Sequence, residues 1–521
     1  MNVLKSILLA GGAAVLMGAA AHAADLPTKK APPAAPAANC FATFLTWLDS
    51  TPADCPLSVG PLTLYGAIDV GGGYATNAAK FNPYYPNGVA SVISKQSHGS
   101  AWQGVPSGLT QSNVGIKLKQ PLFADVSLVG DVNFGFDPYS LQFSNGPESL
   151  YNNNRVPQYF QSANGDSSRS GGLDNSRGYA GFSSPTYGTL TYGRQNSLMN
   201  NLETAYDPMG GAYAFGLVGY SSTLTSGDGD TETARYNQSI QYIYNYQKIA
   251  HIGGIVQLGG YDQGNGAQEA YQIDIGGTYA GFSLDGLYAY DKDAVQLAAY
   301  GGSSGKYGLP AGVAPSDLKA TLANVSAFTL LGKYQWTQWT FFGAYQNSTL
   351  SNPSDKFPGG ISGTIGIPNY AVLPSGLSTT SYTHDKILQT AWTGVKYSVN
   401  PQLDLTGAFY DVWQNNYSGS SCVANTVAIS GAPAGTPSQG TNTAKNNAGT
   451  PATKTSAAVS PSAVGNCSGN EPAVSFLIDY RPFKRVDTYL GVIYSEVSGG
   501  LANGYIKTNN TALTGGVRIS F

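Results

Sequence analysis

The chain has 521 residues, a formal net charge of -3 and only 11% charged residues, beside 66 glycines and 35 tyrosines. Soluble domains carry about 25% charged residues, so this composition argues against a string of soluble domains, and the small negative charge argues against a nucleic-acid partner. Beyond the N-terminus no apolar run approaches the ~20 residues of a membrane helix. A mean hydropathy of -0.15 also suits a barrel, where lipid-facing and water-facing residues alternate and average out.

Residues 1–23 read as a secretory signal. Lys5 supplies the positive start, Ile7 to Met17 the apolar core, and Ala21-His22-Ala23 the small-residue cleavage site. Residues 24–61 read as a periplasmic leader, rich in Ala and Pro as far as Asn39, followed by a short cap between Cys40 and Cys55. An exported chain with four cysteines points to two disulfides, for which three pairings exist. Sequence proximity favours Cys40–Cys55 and Cys422–Cys467. No metal-ligand or redox spacing is present, and no cofactor is implied.

From Leu62 to Phe521, segments of about ten residues alternate in polarity and are separated by turn residues. Val126, Leu128, Val132, Phe134 and Phe136 share one face, and Asp125, Ser127, Asp131 and Asn133 share the other. The pattern predicts strands at Leu62–Ala75, Gln111–Lys119, Ala124–Phe136, Ser176–Ser183, Thr189–Gln195, Ala234–Tyr246, Ala250–Tyr261 and Glu269–Tyr279. It continues at Phe282–Asp291, Leu322–Tyr334, Gln338–Ser348, Thr383–Tyr397, Gln402–Gln414, Pro472–Tyr480, Val486–Glu496 and Thr511–Phe521. These are about sixteen strands, an even number as bacterial single-chain barrels have. The fold class is therefore all-β, a closed transmembrane antiparallel barrel with an aqueous interior. Short turns such as Ala280-Gly281 alternate with long loops such as Thr76–Thr110, Asn196–Thr233 and the low-complexity Asn415–Glu471. Tyrosines and tryptophans gather near strand ends, as interfacial girdles do.

The stretch Ser176–Tyr242 holds the charges of greatest interest. Arginines sit on its strands, and Glu203 and Asp207 sit on the loop between them. Alternation puts Arg235 on the face of Asn237, Ser239 and Gln241, and Lys117 opposite Val114, Ile116 and Leu118, so both are expected in the lumen. Arg194 shares parity with Leu190 and Tyr192 on the lipid side, which places it beyond the apolar band or on a bulge. A solvated wall without special selectivity is the plainer reading of all these charges. Outside the signal the histidines are His98, His251 and His384. His251 sits at a turn and reads as solvated surface. No Gly-x-Ser-x-Gly elbow or acid/base set accompanies them, so the chain reads as no enzyme.

Four stretches make the chain resemble the general porins of Gram-negative outer membranes. They are Thr63-Leu64-Tyr65-Gly66-Ala67-Ile68-Asp69, the Ser176–Gln195 hairpin, Arg235-Tyr236-Asn237-Gln238-Ser239, and the terminal Gly516-Val517-Arg518-Ile519-Ser520-Phe521. The resemblance implies a sixteen-stranded barrel in the outer membrane, usually a homotrimer among lipid and lipopolysaccharide, passing ions and small hydrophilic solutes. It implies that Asn196–Thr233 folds inward as the constriction, with Arg177 and Arg235 as the basic cluster and Asp207 and Glu203 facing it. The family's third basic position falls near Asn113, for which Lys117 can substitute; Arg194 ranks below the other two arginines. Phe521 is implied as the signal read by the barrel-assembly machinery. A passive diffusion channel follows, with a substrate-specific porin, or a barrel whose long loops act as adhesin or receptor, as the alternatives.

Overall fold

A computed structural model of the chain describes residues 40–81, 91–94, 97, 99–141, 143, 177–217, 235–247, 249–258, 269–297, 320–352, 354, 371–373, 376–378, 384–417, 437–438, 453–454, 467–502 and 507–521. Its backbone forms two units, Met1–Thr46 and Trp47–Phe521. The second unit is the barrel.

Sixteen strands make the wall. They are β1 (Leu62–Ala75), β2 (Asn113–Phe123), β3 (Val126–Gly135), β4 (Arg177–Ser184), β5 (Gly188–Asn196), β6 (Arg235–Tyr246), β7 (Ala250–Gln257) and β8 (Glu269–Tyr279). They continue as β9 (Phe282–Leu297), β10 (Ala320–Trp336), β11 (Trp339–Ser351), β12 (Lys386–Asn400), β13 (Leu403–Gln414), β14 (Gly469–Phe483), β15 (Val486–Glu496) and β16 (Asn509–Ser520). Each strand pairs antiparallel with its sequence neighbours, and β16 pairs with β1 through Val70↔Val517 to close the ring. Closure removes the edge that lipid could not hydrate. Phe521 finishes the seam: its N–H donates to the Gly66 carbonyl and its carbonyl accepts from the Gly66 N–H. Its ring lies where a side chain on Gly66 would go, 2.7 Å from the position of a Cβ.

Period-two alternation explains the wall. Leu190, Tyr192, Ile240 and Tyr242 are exposed on the outside, while Thr191 and Ser239 are buried on the inside. Short turns join strands at one end, with Gln247, Ala280 and Thr337 at φ of 48°, 49° and 52°. The left-handed region at these positions suits tight hairpins. Aromatic rings cluster beside them: Phe282 stacks on Tyr334 at 4.0 Å and Trp339 lies 4.4 Å from Tyr397. Amphipathic rings at a strand end are what an interface with headgroups favours.

Two features depart from the expected order of strands and loops. Where the pattern expects one loop over Thr76–Thr110, Ala101–Pro106 is a strand that pairs with the upper half of β1, from Val70↔Pro106 to Ala75↔Ala101. β2 takes only the lower half, Leu62↔Leu118 to Ala67↔Asn113. The link between them bends inward at Ser107, whose φ is 60°. Second, Leu57–Val59 pairs with β1 instead of trailing as leader. The segment just before it is held by Arg485, from the β14–β15 turn. Arg485 donates to the carbonyls of Trp47, Thr51 and Cys55 at 2.9, 3.1 and 2.6 Å, and its guanidinium lies 4.6 Å from the Trp47 ring centre. Cys40, Cys55 and Cys467 are each disulfide-bonded. Cys422 lies outside the described residues, as do residues 1–39 with the signal and the Ala/Pro-rich stretch.

Candidate functional site

The loop after β5 turns inward. Ser197 caps a helix, α1 (Leu198–Tyr206), by accepting from the Asn200 N–H, and Leu198, Met199 and Tyr206 are buried. From there to Leu217 the chain follows the inner wall. The Met199 N–H donates to Gln272 of β8 at 2.9 Å. The Tyr206 hydroxyl donates to Asp285 of β9, and Lys333 of β10 donates to the Ala205 carbonyl at 3.3 Å. Trp392 of β12 donates its indole N–H to the Tyr206 carbonyl at 3.1 Å. Pro208 packs where Gly394 has no side chain; a Cβ there would stand 2.4 Å from the Pro208 Cγ. Phe215 meets Tyr489 of β15 edge-on at 6.0 Å, and the Ala214 N–H donates to the Gly108 carbonyl at 2.9 Å. The loop is thus fastened to β8, β9, β10, β12 and β15, on the arc from β8 to β15.

The opposite arc, β1 to β4, carries a different set. Arg177 on β4 is 3.2 Å from Asp131 on β3, and the Tyr65 hydroxyl of β1 joins them, donating to Asp131 at 2.5 Å and accepting from Arg177 at 2.9 Å. Lys117 of β2 is exposed, with its ammonium 4.3 Å from the Tyr65 ring centre. Lys117, Arg177 and Asp131 therefore gather around the Tyr65 side chain on this wall.

The acidic residues of the loop are placed otherwise than charge order suggests. Glu203 and Asp207 are each 2% exposed. The Asp207 carboxylate accepts from the Tyr410 hydroxyl at 2.5 Å and from the Gly211 N–H at 2.8 Å. It faces β13, not a solvated gap. Burial pushes its carboxyl up to about 6, with the Tyr410 hydrogen bond acting the other way.

Arg235 needs a second correction. A bulge sets Asn237 and Gln238 opposite the single residue Arg194, with Gln238 at a φ of 45°. The bulge reverses the alternation upstream of Ser239. Tyr236, not Arg235, joins Ser239 and Gln241 on the inner face; its hydroxyl donates to Asp291 at 2.6 Å and accepts from Gln272 at 3.1 Å. Arg235 begins the strand on the other side of the alternation and is 1% exposed. Arg194 lies at the same bulge, as parity allows, and donates to Asn237.

Several inner-wall groups carry no signal in a single strand. Arg481 bridges Asp404 and Asp479 at 2.8 and 3.1 Å, and Arg518 meets Asp487 at 2.8 Å. Asp69 accepts from the Tyr489 hydroxyl at 2.6 Å and from the N–H groups of Leu109 and Thr110 at 2.7 and 3.0 Å. Tyr65, Tyr236, Tyr410 and Tyr489 face inward from their strands, and Tyr206 meets the wall from α1.

A family model described as Gram-negative porin matches residues 11–500 of the chain. No curated protein matches the sequence significantly. Among solved structures, the chain is similar to an anion-selective porin from Comamonas acidovorans, at 11% identity and a TM-score of 0.49, covering 88% of this chain and 99% of that one. It is similar to the outer-membrane expressed OmpT of Vibrio cholerae, at 12% identity and a TM-score of 0.47, covering 89% and 100%. The outer membrane channel DcaP of Acinetobacter baumannii gives 12% identity, a TM-score of 0.44, and coverage of 88% and 97%. With a closed sixteen-strand wall, an inward loop and a family match over nearly its whole length, the chain belongs to the Gram-negative porins, multi-pass outer-membrane channels for passive diffusion.

Proposed function

We propose that ions and small hydrophilic solutes cross between the inward loop and the β1–β4 wall, and that Lys117 and Arg177 set the charge of that gap. The division of the lumen supports this most directly. The loop is bonded along β8 to β15, while the exposed Lys117 lies on the other arc beside Arg177. Low-dielectric walls close to a narrow water path focus the field of such groups. Asp131 offsets the Arg177 charge beside it, which leaves the exposed Lys117 as the positive group of this patch. Asp207 acts as a fastener of the loop in this reading and not as the negative pole of a transverse field.

Single-channel recording in a planar bilayer, with reversal potentials in a salt gradient, tests the assignment. Lys117→Ala should raise conductance and shift selectivity toward cations. The shift should shrink with salt, since screening shortens from about 10 Å at 0.1 M to about 3 Å at 1 M. Wild-type selectivity at low salt in Lys117→Ala and Arg177→Ala alike would remove these residues from the gap.

Family membership supports a homotrimer, contact with lipopolysaccharide, and delivery by the barrel-assembly machinery; a cross-linked mass of three chains in detergent would check the first. We also propose that residues 1–23 are removed as a signal and that the bridges are Cys40–Cys55 and Cys422–Cys467, which non-reducing peptide mapping reads directly.

A further inference from the structure

We propose that His251, Asp274 and Asp285 form a binding site for one divalent cation of the zinc class on the inner wall, beside the short-turn ends of β7, β8 and β9. Three adjacent strands supply one ligand each. Gly276 of β8 is the register partner of both His251 and Asp285, and Asp274 lies two residues away on the same face. The three side chains converge over Gly276. A Cβ there would stand 1.6 Å from the Asp285 Oδ1 and 2.7 Å from the His251 Cε1, so only glycine leaves the space open.

The hydrogen-bond count within the cluster does not balance. The His251 Nε2 is 2.8 Å from the Asp274 Oδ2 and 2.8 Å from the Asp285 Oδ1. One ring nitrogen carries at most one proton, and the contact with hydrogen-bond geometry is the one to Asp274. Asp285 Oδ1 is buried, aimed at the same nitrogen, and has no hydrogen bond; Asp274 Oδ1 is buried and has none either. Both carboxylates are nine-tenths or more out of solvent, with side-chain exposures of 6% and 3%. Buried acceptors in excess of donors are costly unless a cation supplies the difference. The nearest lysine on the adjoining strand, Lys333, is turned to the Ala205 carbonyl and the Tyr206 ring.

A cation meets that need with suitable ligands. One imidazole nitrogen and two carboxylate oxygens, all within 4.8 Å of one another, form a mixed nitrogen and oxygen set. Such a set suits zinc and its neighbours, with water completing the shell, better than magnesium, which prefers oxygen alone. The second Asp285 oxygen accepts from the Tyr206 hydroxyl, the kind of outer contact that orients a ligand. His251 is 27% exposed, which gives an ion a way in from the lumen. Because Tyr206 belongs to α1, occupancy would also hold the loop to the wall.

Calorimetric titration of the purified full-length protein with Zn²⁺, in detergent micelles at pH 7, tests the site, with Mg²⁺ titrated separately. One Zn²⁺ per chain should bind in the micromolar range. Affinity should fall about 10- to 100-fold in Asp274→Asn and in His251→Gln, as loss of ligands or their supports does elsewhere. Heat-modifiable migration of each variant shows whether its barrel is intact, and the near-isosteric Asp274→Asn carries the test if His251→Gln misfolds. Absence of saturable Zn²⁺ binding overturns the proposal. So does Zn²⁺ binding unchanged in the folded variants, which would be adventitious binding elsewhere. Mg²⁺ binding as tight as Zn²⁺ overturns the zinc-class assignment.

Discussion

Five tyrosines inside the barrel each give a hydroxyl hydrogen to an aspartate: Tyr65 to Asp131, Tyr206 to Asp285, Tyr236 to Asp291, Tyr410 to Asp207 and Tyr489 to Asp69. A phenol brings a strong donor on a rigid apolar stem, which helps a carboxylate to be buried; of the five, Asp131 also has Arg177 at 3.2 Å. Asp207 shows the cost that remains. Its pKa is raised by burial from 3.8 to about 6. Between those values the folded protein holds a proton that the unfolded chain releases. The stabilisation is therefore full below about pH 3.8, declines as pH rises through 6, and is absent above it. Asp207→Asn should flatten this part of the stability-versus-pH curve, an effect on the order of 3 kcal/mol between pH 4 and 8. Thermal unfolding of wild type and variant in detergent across that range measures it; parallel curves would place the titration elsewhere. None of these pairs was legible in one strand's alternation. Period two says which face a tyrosine takes, not which carboxylate waits on a strand distant in sequence. At β6 even the face fails, because Gln238 reads as an ordinary strand residue and its bulge becomes visible only against Gly193 and Gln195.

At the scale of elements, strands are the best-read feature of the chain. The expected ranges Leu62–Ala75, Glu269–Tyr279 and Val486–Glu496 are the observed ones. Others run longer than the apolar pattern, as β9 does in reaching Leu297. The reason is physical: alternation marks the part of a strand that meets lipid, while pairing continues above it in water. The inward loop was legible only as a polar interval with two carboxylates. Its course depends on vacancies in the wall, such as Gly394 for Pro208 and Gly491 for Phe215, and these are invisible without the fold. Phe215 anchors the far end, fully buried against Tyr489. Phe215→Ala should weaken docking of that end by roughly 3–5 kcal/mol while leaving the barrel closed. Single-channel traces should then show added open-state noise and a larger mean current. A quiet trace of wild-type amplitude would mean that the hydrogen bond from Ala214 to Gly108 suffices.

For the molecule as a whole, closure rests on one seam. Val517 and Ile519 face outward, and Phe521 exchanges both backbone hydrogen bonds with Gly66. Deleting Phe521 removes the last pair of the seam and leaves the Gly66 N–H and carbonyl unmet beside lipid, where such groups are costly. The expected outcome is less folded protein in the outer membrane, read by heat-modifiable migration of membrane fractions. Undiminished yield would show that the nine preceding pairings of the seam, from Ala67↔Ser520 to Ala75↔Ala512, hold it closed unaided.

The stapling of the loop has a consequence for the order of events in biogenesis. Gln272, Trp392, Tyr410 and Tyr489 lie on the consecutive strands from β8 to β15, whereas Gly108, which accepts from the Ala214 N–H, follows β1 and lies beyond the closing seam. Most of its sockets therefore exist on a sheet that is still open, but the contact with Gly108 forms only once β16 has met β1. Fixing the far end of the loop is thereby coupled to closure of the barrel, because its last contact is made across the seam.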